Sequence, residues 1–297
     1  MPVVFVIDVS AQAVQPGILK VLSQSLKATL ASFAGNTKQT FGFVTYDDSI
    51  HFYNLNSNLQ TPQMLVVPDL ERAFLPLEPM GNLLVTYEES KELIDSFLDK
   101  LATMFDGAAV TKNAFAAATK AAGRLMRTTG GKVIALQTSL PSGGPGKLES
   151  RLKVEHVGTD RERELYKPQS NYFQLMGEDF SSHGVGVDLF LFANSHLELA
   201  TIGELCKITG GQAYLYSRFN AARDRLKLHH ELFRTLTRTQ GYDALMRVRT
   251  SAGIDASDYS GSFLRKNGSD ICMSVVDCDK TMAVYFKHDS DIPEDSK

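Results

Sequence analysis

Runs of apolar residues alternate with amphipathic stretches over the first 240 residues of the chain. Residues 3–7 form an unbroken apolar run, typical of a central parallel strand that is covered on both faces. From Leu19 to Leu30, leucines recur at three- and four-residue steps, which places one apolar stripe on a helix. Because strand and helix patterns keep alternating, the sequence predicts a doubly wound, mostly parallel α/β sheet.

One part of this pattern departs from a purely parallel sheet. Asp47 and Asp48 separate two strand-like runs by a tight turn, which predicts one antiparallel hairpin strand. Prolines punctuate residues 59–85 and favour an irregular surface segment there. The other predicted strands are 40–46, 50–54, 132–137, 185–192 and 212–216, and the predicted helices are 88–105, 112–128, 160–178, 196–208 and 220–238.

After Gly241 the pattern changes to short strands separated by turns, with no helix between them. These strands are predicted at 244–250, 259–265, 270–276 and 282–286. Four strands make a poor closed sandwich, so we expect a partial antiparallel β-sandwich unit, part of a longer protein. The predicted organisation is an α/β domain over 1–240, the β-sandwich strands over 241–288 and an acidic tail over 289–297.

The composition narrows the class of protein without identifying it. The net charge of −3 lacks the basic excess of a nucleic-acid-binding protein. The three cysteines are too irregularly spaced for a disulfide scaffold or a zinc knuckle, which favours a reducing, cytoplasmic compartment. The charge is unevenly distributed: residues 67–106 hold nine acids and three bases, whereas 207–266 hold eleven bases and five acids.

A metal site is one candidate at the end of the first strand. Asp8 and Ser10 have the spacing of the Asp-x-Ser-x-Ser motif of metal-binding von Willebrand A domains, but Gln12 replaces the second serine. Such a site also takes a threonine from a second loop and an aspartate from a third. Thr111 offers the threonine, but residues 138–140 contain no carboxylate. A metal-dependent adhesion or binding module is therefore the alternative to a metal-free scaffold in which Asp8 and Ser10 only cap a loop.

No motif in the sequence supports catalysis. Residues 141–148 resemble a phosphate-binding loop, but Pro141 stands where the first glycine is needed and Leu148 where the metal-binding hydroxyl is needed. His229 and His230 have the wrong spacing for two ligands on one helical face. The sequence therefore predicts a protein that is not an enzyme.

Two arginines are the more informative candidates. Arg247 and Arg249 are two residues apart on a predicted strand, so both side chains are expected on the same side of it. Each planar guanidinium binds a carboxylate through two hydrogen bonds, which suits an acidic peptide or a C-terminal carboxylate. The alternative is a solvated strand face on which the arginines pair with neighbouring acids.

An ordered set of short strings resembles the cargo-adaptor subunits of the COPII vesicle coat. The strings are FVIDVS at 5–10, GFVTYD at 42–47, IHFYNL at 50–55, GGKV at 130–133, QTSLP at 137–141, VDLFL at 187–191 and MRVR at 246–249. The resemblance implies a von Willebrand A-like trunk followed by the start of a β-sandwich. It also implies a role in endoplasmic reticulum to Golgi transport, peripheral to an anionic membrane surface, and pairing with the sister GTPase-activating coat subunit.

The resemblance also assigns site residues. Arg247 and Arg249 match arginines that line a pocket for export signals on the cytosolic tails of membrane cargo and fusion proteins. Lys38 stands where the family carries an arginine in a second site for a fusion protein; lysine keeps the charge but loses the two-pronged geometry. The family binds zinc only in a zinc finger that has no counterpart here, so no cofactor is expected.

Overall fold

Most strands in the first half of the chain are buried on both faces. The computed structural model describes residues 1–77, 83–151, 155, 157–266 and 270–288. The strands are Pro2–Asp8 (β1), Thr40–Tyr46 (β2), Ile50–Asn54 (β3), Gln63–Val67 (β4), Val85–Thr86 (β5), Gly131–Gln137 (β6), Val185–Ala193 (β7), Ala213–Ser217 (β8), Gln240–Arg247 (β9), Ile254–Ser260 (β10), Leu264–Lys266 (β11), Asp270–Asp277 (β12) and Ala283–His288 (β13). The α-helices are Ala11–Val14 (α1), Ile18–Leu30 (α2), Tyr87–Met104 (α3), Phe115–Leu125 (α4), Tyr172–Ser182 (α5), Leu199–Ile202 (α6), Glu204–Thr209 (α7) and Ala221–Thr237 (α8).

The larger sheet is built around β1, which is buried along its whole length. Its strand order is β4-β3-β2-β1-β6-β7-β8, with β5 paired to β2. Strands β2, β1, β6, β7 and β8 run parallel, whereas β3, β4 and β5 pair antiparallel to their neighbours. The predicted mostly parallel α/β sheet with an antiparallel hairpin is therefore confirmed.

Side chains of β1 alternate between two apolar cores, one on each face of this sheet. Val4 and Val6 lie in the core that α4, α5 and α7 cover. Phe5 and Ile7 lie in the core that α2, α3 and α8 cover. This double covering explains the unbroken apolar run, because both faces of the strand need apolar side chains. In the described part of the chain, no helix is long and apolar enough to cross a membrane.

Several predicted elements differ from the structure. Residues 59–85 were expected to be irregular, but they contain β4, an edge strand that Pro62 and Pro68 flank rather than interrupt. The predicted helix over 160–178 is wrong: a 3-10 segment covers Asp160–Tyr166, and α5 begins only after Pro168. The predicted helix over 196–208 is two short helices that meet at Gly203.

The residues after Gln240 form two small antiparallel sheets. One has the strand order β11-β12-β9 and the other pairs β10 with β13. Tyr259, Ile271 and Met273 are buried between them as a small core. A partial antiparallel β unit is therefore confirmed, although the strand predicted over 259–265 is divided between β10 and β11. The predicted acidic tail lies outside the described residues.

A buried ion network joins the two parts of the chain. Lys132 on β6 and Asp188 on β7 are both almost fully buried, with 2.6 Å between Nζ and Oδ2. Lys132 also donates to Gln240 at the start of β9, at 3.0 Å. At the end of α8, Arg238 lies 2.9 Å from Asp277 on β12. The β-sandwich strands are thus held against the trunk sheet by polar groups as well as by packing.

Candidate functional site

Arg247 is the last residue of β9. It lies at the opposite end of this strand from Gln240, which contacts the buried ion network. Met246 and Val248 pack towards the small core, whereas Arg247 is on the outer face, since successive side chains of a strand alternate. The Arg247 side chain is 53% exposed. A ligand in solvent therefore has direct access to this guanidinium.

Arg247 already has a carboxylate partner across the sheet. Its Nε donates to Asp270 Oδ1 at 2.5 Å and its Nη2 donates to Asp270 Oδ2 at 2.7 Å. The hydrogen bonds and charge of Asp270 raise the pKa of Arg247, and those of Arg247 lower the pKa of Asp270. Asp270 is flanked on its other side by Lys266, with which it pairs in register on β11. Sequence reasoning missed both neighbours, because they become adjacent only through the strand register.

Arg249 corrects one prediction. The predicted strand over 244–250 is β9 at Gln240–Arg247, so Arg249 lies beyond it. The ladder ends there because β12 begins at Asp270, which pairs with Arg247. The alternation of exposed and half-buried residues nevertheless continues to Arg249, which is exposed and forms no ion pair with a described residue. Both arginines therefore present exposed side chains at the same end of the sheet.

Lys38 lies in a different part of the molecule. It occupies an exposed turn just before β2, where its backbone N–H donates to Asn36 Oδ1 at 3.0 Å. The strand β2 belongs to the larger sheet, whereas Arg247 belongs to the three-stranded sheet. The structure therefore brings Arg247 and Arg249 together and leaves Lys38 as a separate candidate.

The Asp8 cluster lies at the carboxyl ends of the parallel strands. Asp8 is buried, and its Oδ2 accepts hydrogen bonds from Asn113 Nδ2 at 2.8 Å, Thr138 Oγ1 at 2.6 Å and the Thr138 N–H at 3.1 Å. Its Oδ1 accepts from the Ser10 N–H at 2.9 Å. Burial raises the pKa of the Asp8 carboxyl, and the hydrogen bonds from Ser10 and Thr138 oppose that rise.

Hydrogen-bond donors from Ser10, Asn113 and Thr138 already occupy the Asp8 carboxylate. Hard cations bind oxygen ligands, whereas the position next to Asp8 Oδ2 is taken by the N–H donors of Asn113 and Thr138. Thr111, the residue predicted for the second loop, is exposed, and Asn113 takes the place beside Asp8 instead. The described residues contain no group of three His, Cys, Asp or Glu side chains able to hold a metal. Asp8 and its partners instead tie three loops together.

A cavity of about 640 Å³ lies elsewhere, between the loop after β3 and the start of α3. Leu59 and Gln60 line one side, and Glu88, Glu89 and Glu92 line the other. None of the candidate arginines or Lys38 contributes to it. The exposed arginine pair is therefore a surface site rather than part of this acidic cavity.

The sequence matches two family models along nearly its whole length. The Sec23/Sec24 trunk domain matches residues 2–236 and the Sec23/Sec24 beta-sandwich domain matches residues 241–297. "Protein transport protein SEC24 A" of Arabidopsis thaliana is 39% identical over 283 residues, which are 95% of this chain and 27% of that protein. "Protein transport protein Sec24D" of Homo sapiens is 36% identical over 301 residues, covering 99% of this chain and 29% of that protein. The chain spans less than a third of these relatives.

Solved structures agree with the sequence matches. The human COPII-coat protein Sec24c matches with a TM-score of 0.92 at 36% identity, over 99% of this chain and 39% of that chain. A von Willebrand factor type A protein from Catenulispora acidiphila matches with a TM-score of 0.56 at 13% identity, over 96% of this chain and 56% of that chain, and shares the fold alone. The von Willebrand A-like trunk and the family resemblance are therefore confirmed, and the chain belongs to the Sec24 family of COPII-coat protein transport proteins.

Proposed function

We propose that the chain is a non-catalytic cargo adaptor of the COPII coat. It binds acidic export signals on the cytosolic tails of membrane cargo and fusion proteins during transport from the endoplasmic reticulum to the Golgi. The observation that supports this proposal is the pair of exposed arginines, Arg247 and Arg249, at one end of the three-stranded sheet. Guanidinium groups recognise carboxylates through paired hydrogen bonds. Weak binding at one such site becomes useful when many sites act together in a coat.

A peptide titration tests this assignment. A fluorescently labelled acidic export-signal peptide is titrated with the wild-type protein and with Arg247→Ala/Arg249→Ala. Because charge-assisted hydrogen bonds are lost at both positions, the double variant is expected to bind at least about tenfold more weakly. Arg225→Ala is the matched control, since Arg225 is an exposed arginine on α8. Equal affinity of the double variant and the wild type would remove these two residues from the site.

Lys38 is proposed as a contact in a second, separate site for a fusion protein. Its exposure in the turn before β2 supports that role, and the proposal treats the two sites as separate because β2 and the strand of Arg247 belong to different sheets. Lys38→Ala is expected to weaken binding of the folded fusion protein without changing the titration of the acidic peptide. Loss of both activities in this variant would contradict two independent sites.

We propose that the trunk pairs with the sister GTPase-activating subunit through the outer edge of β4. Among the described strands, none pairs with this edge, and its Met64 and Val66 side chains are 45% and 51% exposed. These residues adjoin Tyr53 and His51 in register, and Tyr53 contacts the exposed Met104 at 3.9 Å. An unpaired strand with exposed apolar side chains is suited to adding a strand from a partner.

The opposite edge of the sheet is a built-in control for this proposal. On β8 the carbonyl of Leu215 accepts from Lys227 Nζ at 3.4 Å and that of Ser217 accepts from Arg223 Nη2 at 3.3 Å, so side chains already cover that edge. Val66→Lys is expected to reduce capture of the sister subunit, whereas Leu215→Lys, at a residue of similar exposure, is expected to leave it unchanged. Equal capture by both variants would exclude the β4 edge.

The proposed location is the cytosolic face of endoplasmic reticulum exit sites, peripheral to the membrane. The excess of basic residues over 207–266 supports attraction to anionic lipid and acidic tails. The proposal requires no cofactor. A metal-dependent adhesion module is the weaker candidate, because N–H donors surround the Asp8 carboxylate where cation ligands would be needed.

A further inference from the structure

A carboxylate of the protein lies beside the arginine pair. Asp270 lies directly opposite Arg247 in the β9–β12 ladder and binds it through both carboxylate oxygens. Both partners lie at the surface, with 53% of the Arg247 side chain and 19% of the Asp270 side chain exposed. A carboxylate of the protein therefore already occupies one of the two guanidiniums that the proposed function assigns to a carboxylate of the ligand.

The geometry of this pair leaves part of Arg247 available. A guanidinium has five N–H donors. Asp270 accepts from Nε and from one hydrogen of Nη2, which is the side-on edge of the group. The second hydrogen of Nη2 and one hydrogen of Nη1 remain and form the end-on edge, and the other Nη1 hydrogen points back towards Cδ. A ligand carboxylate can therefore bind Arg247 end-on while Asp270 stays in place.

A ligand bound in this way experiences opposing charges. Arg247 attracts its carboxylate, and Arg249 adds a positive charge with no described ion-pair partner. Lys266 on β11 pairs in register with Asp270, on the side of β12 that faces away from Arg247. The Asp270 carboxylate lies on the neighbouring edge of the same guanidinium and repels the ligand carboxylate across roughly 6–7 Å, the separation of two carboxylates that bind adjacent edges of one guanidinium.

We propose that Asp270 is a specificity-determining residue of this site: it holds Arg247 in one orientation, leaves its end-on edge for the ligand, and lowers the affinity for acidic peptides. This inference rests on the proposed function. Its consequence is that acidic export signals bind more weakly than two unopposed arginines would allow. That weakness is compatible with release of cargo once the coat disassembles.

The test is the same peptide titration with Asp270→Asn at low ionic strength. Two unit charges 6–7 Å apart in water interact strongly enough to change an affinity about threefold, so Asp270→Asn is expected to bind the acidic peptide about threefold more tightly. The gain is expected to shrink as salt is added, because exposed charges are screened. Asp270→Glu, which keeps the charge, is expected to stay near the wild-type affinity and shows that a change of side chain here is tolerated.

Asp255→Asn is the matched control. It removes one exposed acid from β10, in the other small sheet, and is expected to leave the affinity unchanged. Unchanged or weaker binding by a folded Asp270→Asn variant would overturn the inference and reduce the pair to a structural cross-strand contact. If Asp270→Asn fails in this way while Arg247→Ala/Arg249→Ala abolishes binding, only the inference is overturned; if the double variant also binds normally, the proposed function fails as well.

Discussion

Replacing Lys132 with methionine tests how much the buried ion network contributes to the stability of the fold. The change removes the amine that lies 2.6 Å from Asp188 Oδ2 and leaves a carboxylate with no exposed surface. Asp188 would keep the Gln212 N–H at 2.8 Å and the more distant Arg238 at 4.0 Å. Breaking a buried pair costs about 3–5 kcal/mol. Because Arg238 remains nearby, we expect a value near the lower limit, about 3 kcal/mol.

Thermal and denaturant unfolding, followed by circular dichroism, measure this cost. At about 2–4 °C for each kcal/mol, the unfolding midpoint of Lys132→Met is expected to fall by about 6–12 °C. Lys27→Met is the matched control, since Lys27 pairs with Asp99 at 2.8 Å on the exposed surface and is expected to contribute less than about 1 kcal/mol. Equal effects of the two substitutions would refute the claim that burial makes the Lys132–Asp188 pair more stabilising than an exposed ion pair.

Two further predictions concern packing and pH. Gly186→Ala is expected to lower the unfolding midpoint, because an added Cβ would lie 2.2 Å from Val275 where β7 packs against β12; a midpoint equal to that of the wild type would contradict this close approach. Burial raises the pKa of Glu198, but hydrogen bonds from Arg151 and His196 outweigh it and hold that pKa below the ordinary 4.5. Because the pKa of Glu198 is lower in the folded than in the unfolded state, its ionised form stabilises the fold at pH values above the unfolded-state pKa. Glu198→Gln is therefore expected to be less stable than the wild type at pH 7, and the difference in stability should shrink as the pH falls below 4.5.

The strands of the larger sheet were predictable because both of their faces are buried. Residues 3–7 form an unbroken apolar run for that reason, and residues 185–192 are apolar except for Gly186 and Asp188; the structure places a strand at each. The edge strand β4 was missed because only Val67 in it is buried. A strand with a single buried residue shows no alternation of buried and exposed positions. Helices α6 and α7 were predicted as one helix, because apolar residues continue on both sides of the break at Gly203.

The sequence pattern predicted the exposed position of Arg247 but not its partner. Alternation along β9 correctly places Arg247 on the outer face. Pairing with Asp270 depends on which residues of two strands lie opposite each other, and a single strand pattern carries no information on that register. The replacement of Thr111 by Asn113 beside Asp8 likewise depends on how one loop folds over the sheet. The pattern of one segment does not predict its contacts with segments that are distant in sequence.

A crystal structure of the protein with a bound acidic export-signal peptide tests the central proposal most directly. We expect a peptide carboxylate within hydrogen-bonding distance of the end-on edge of Arg247 and of the Arg249 guanidinium, with Asp270 still bound to the side-on edge of Arg247. A peptide bound at another surface, with both arginines in contact only with solvent and Asp270, would contradict it.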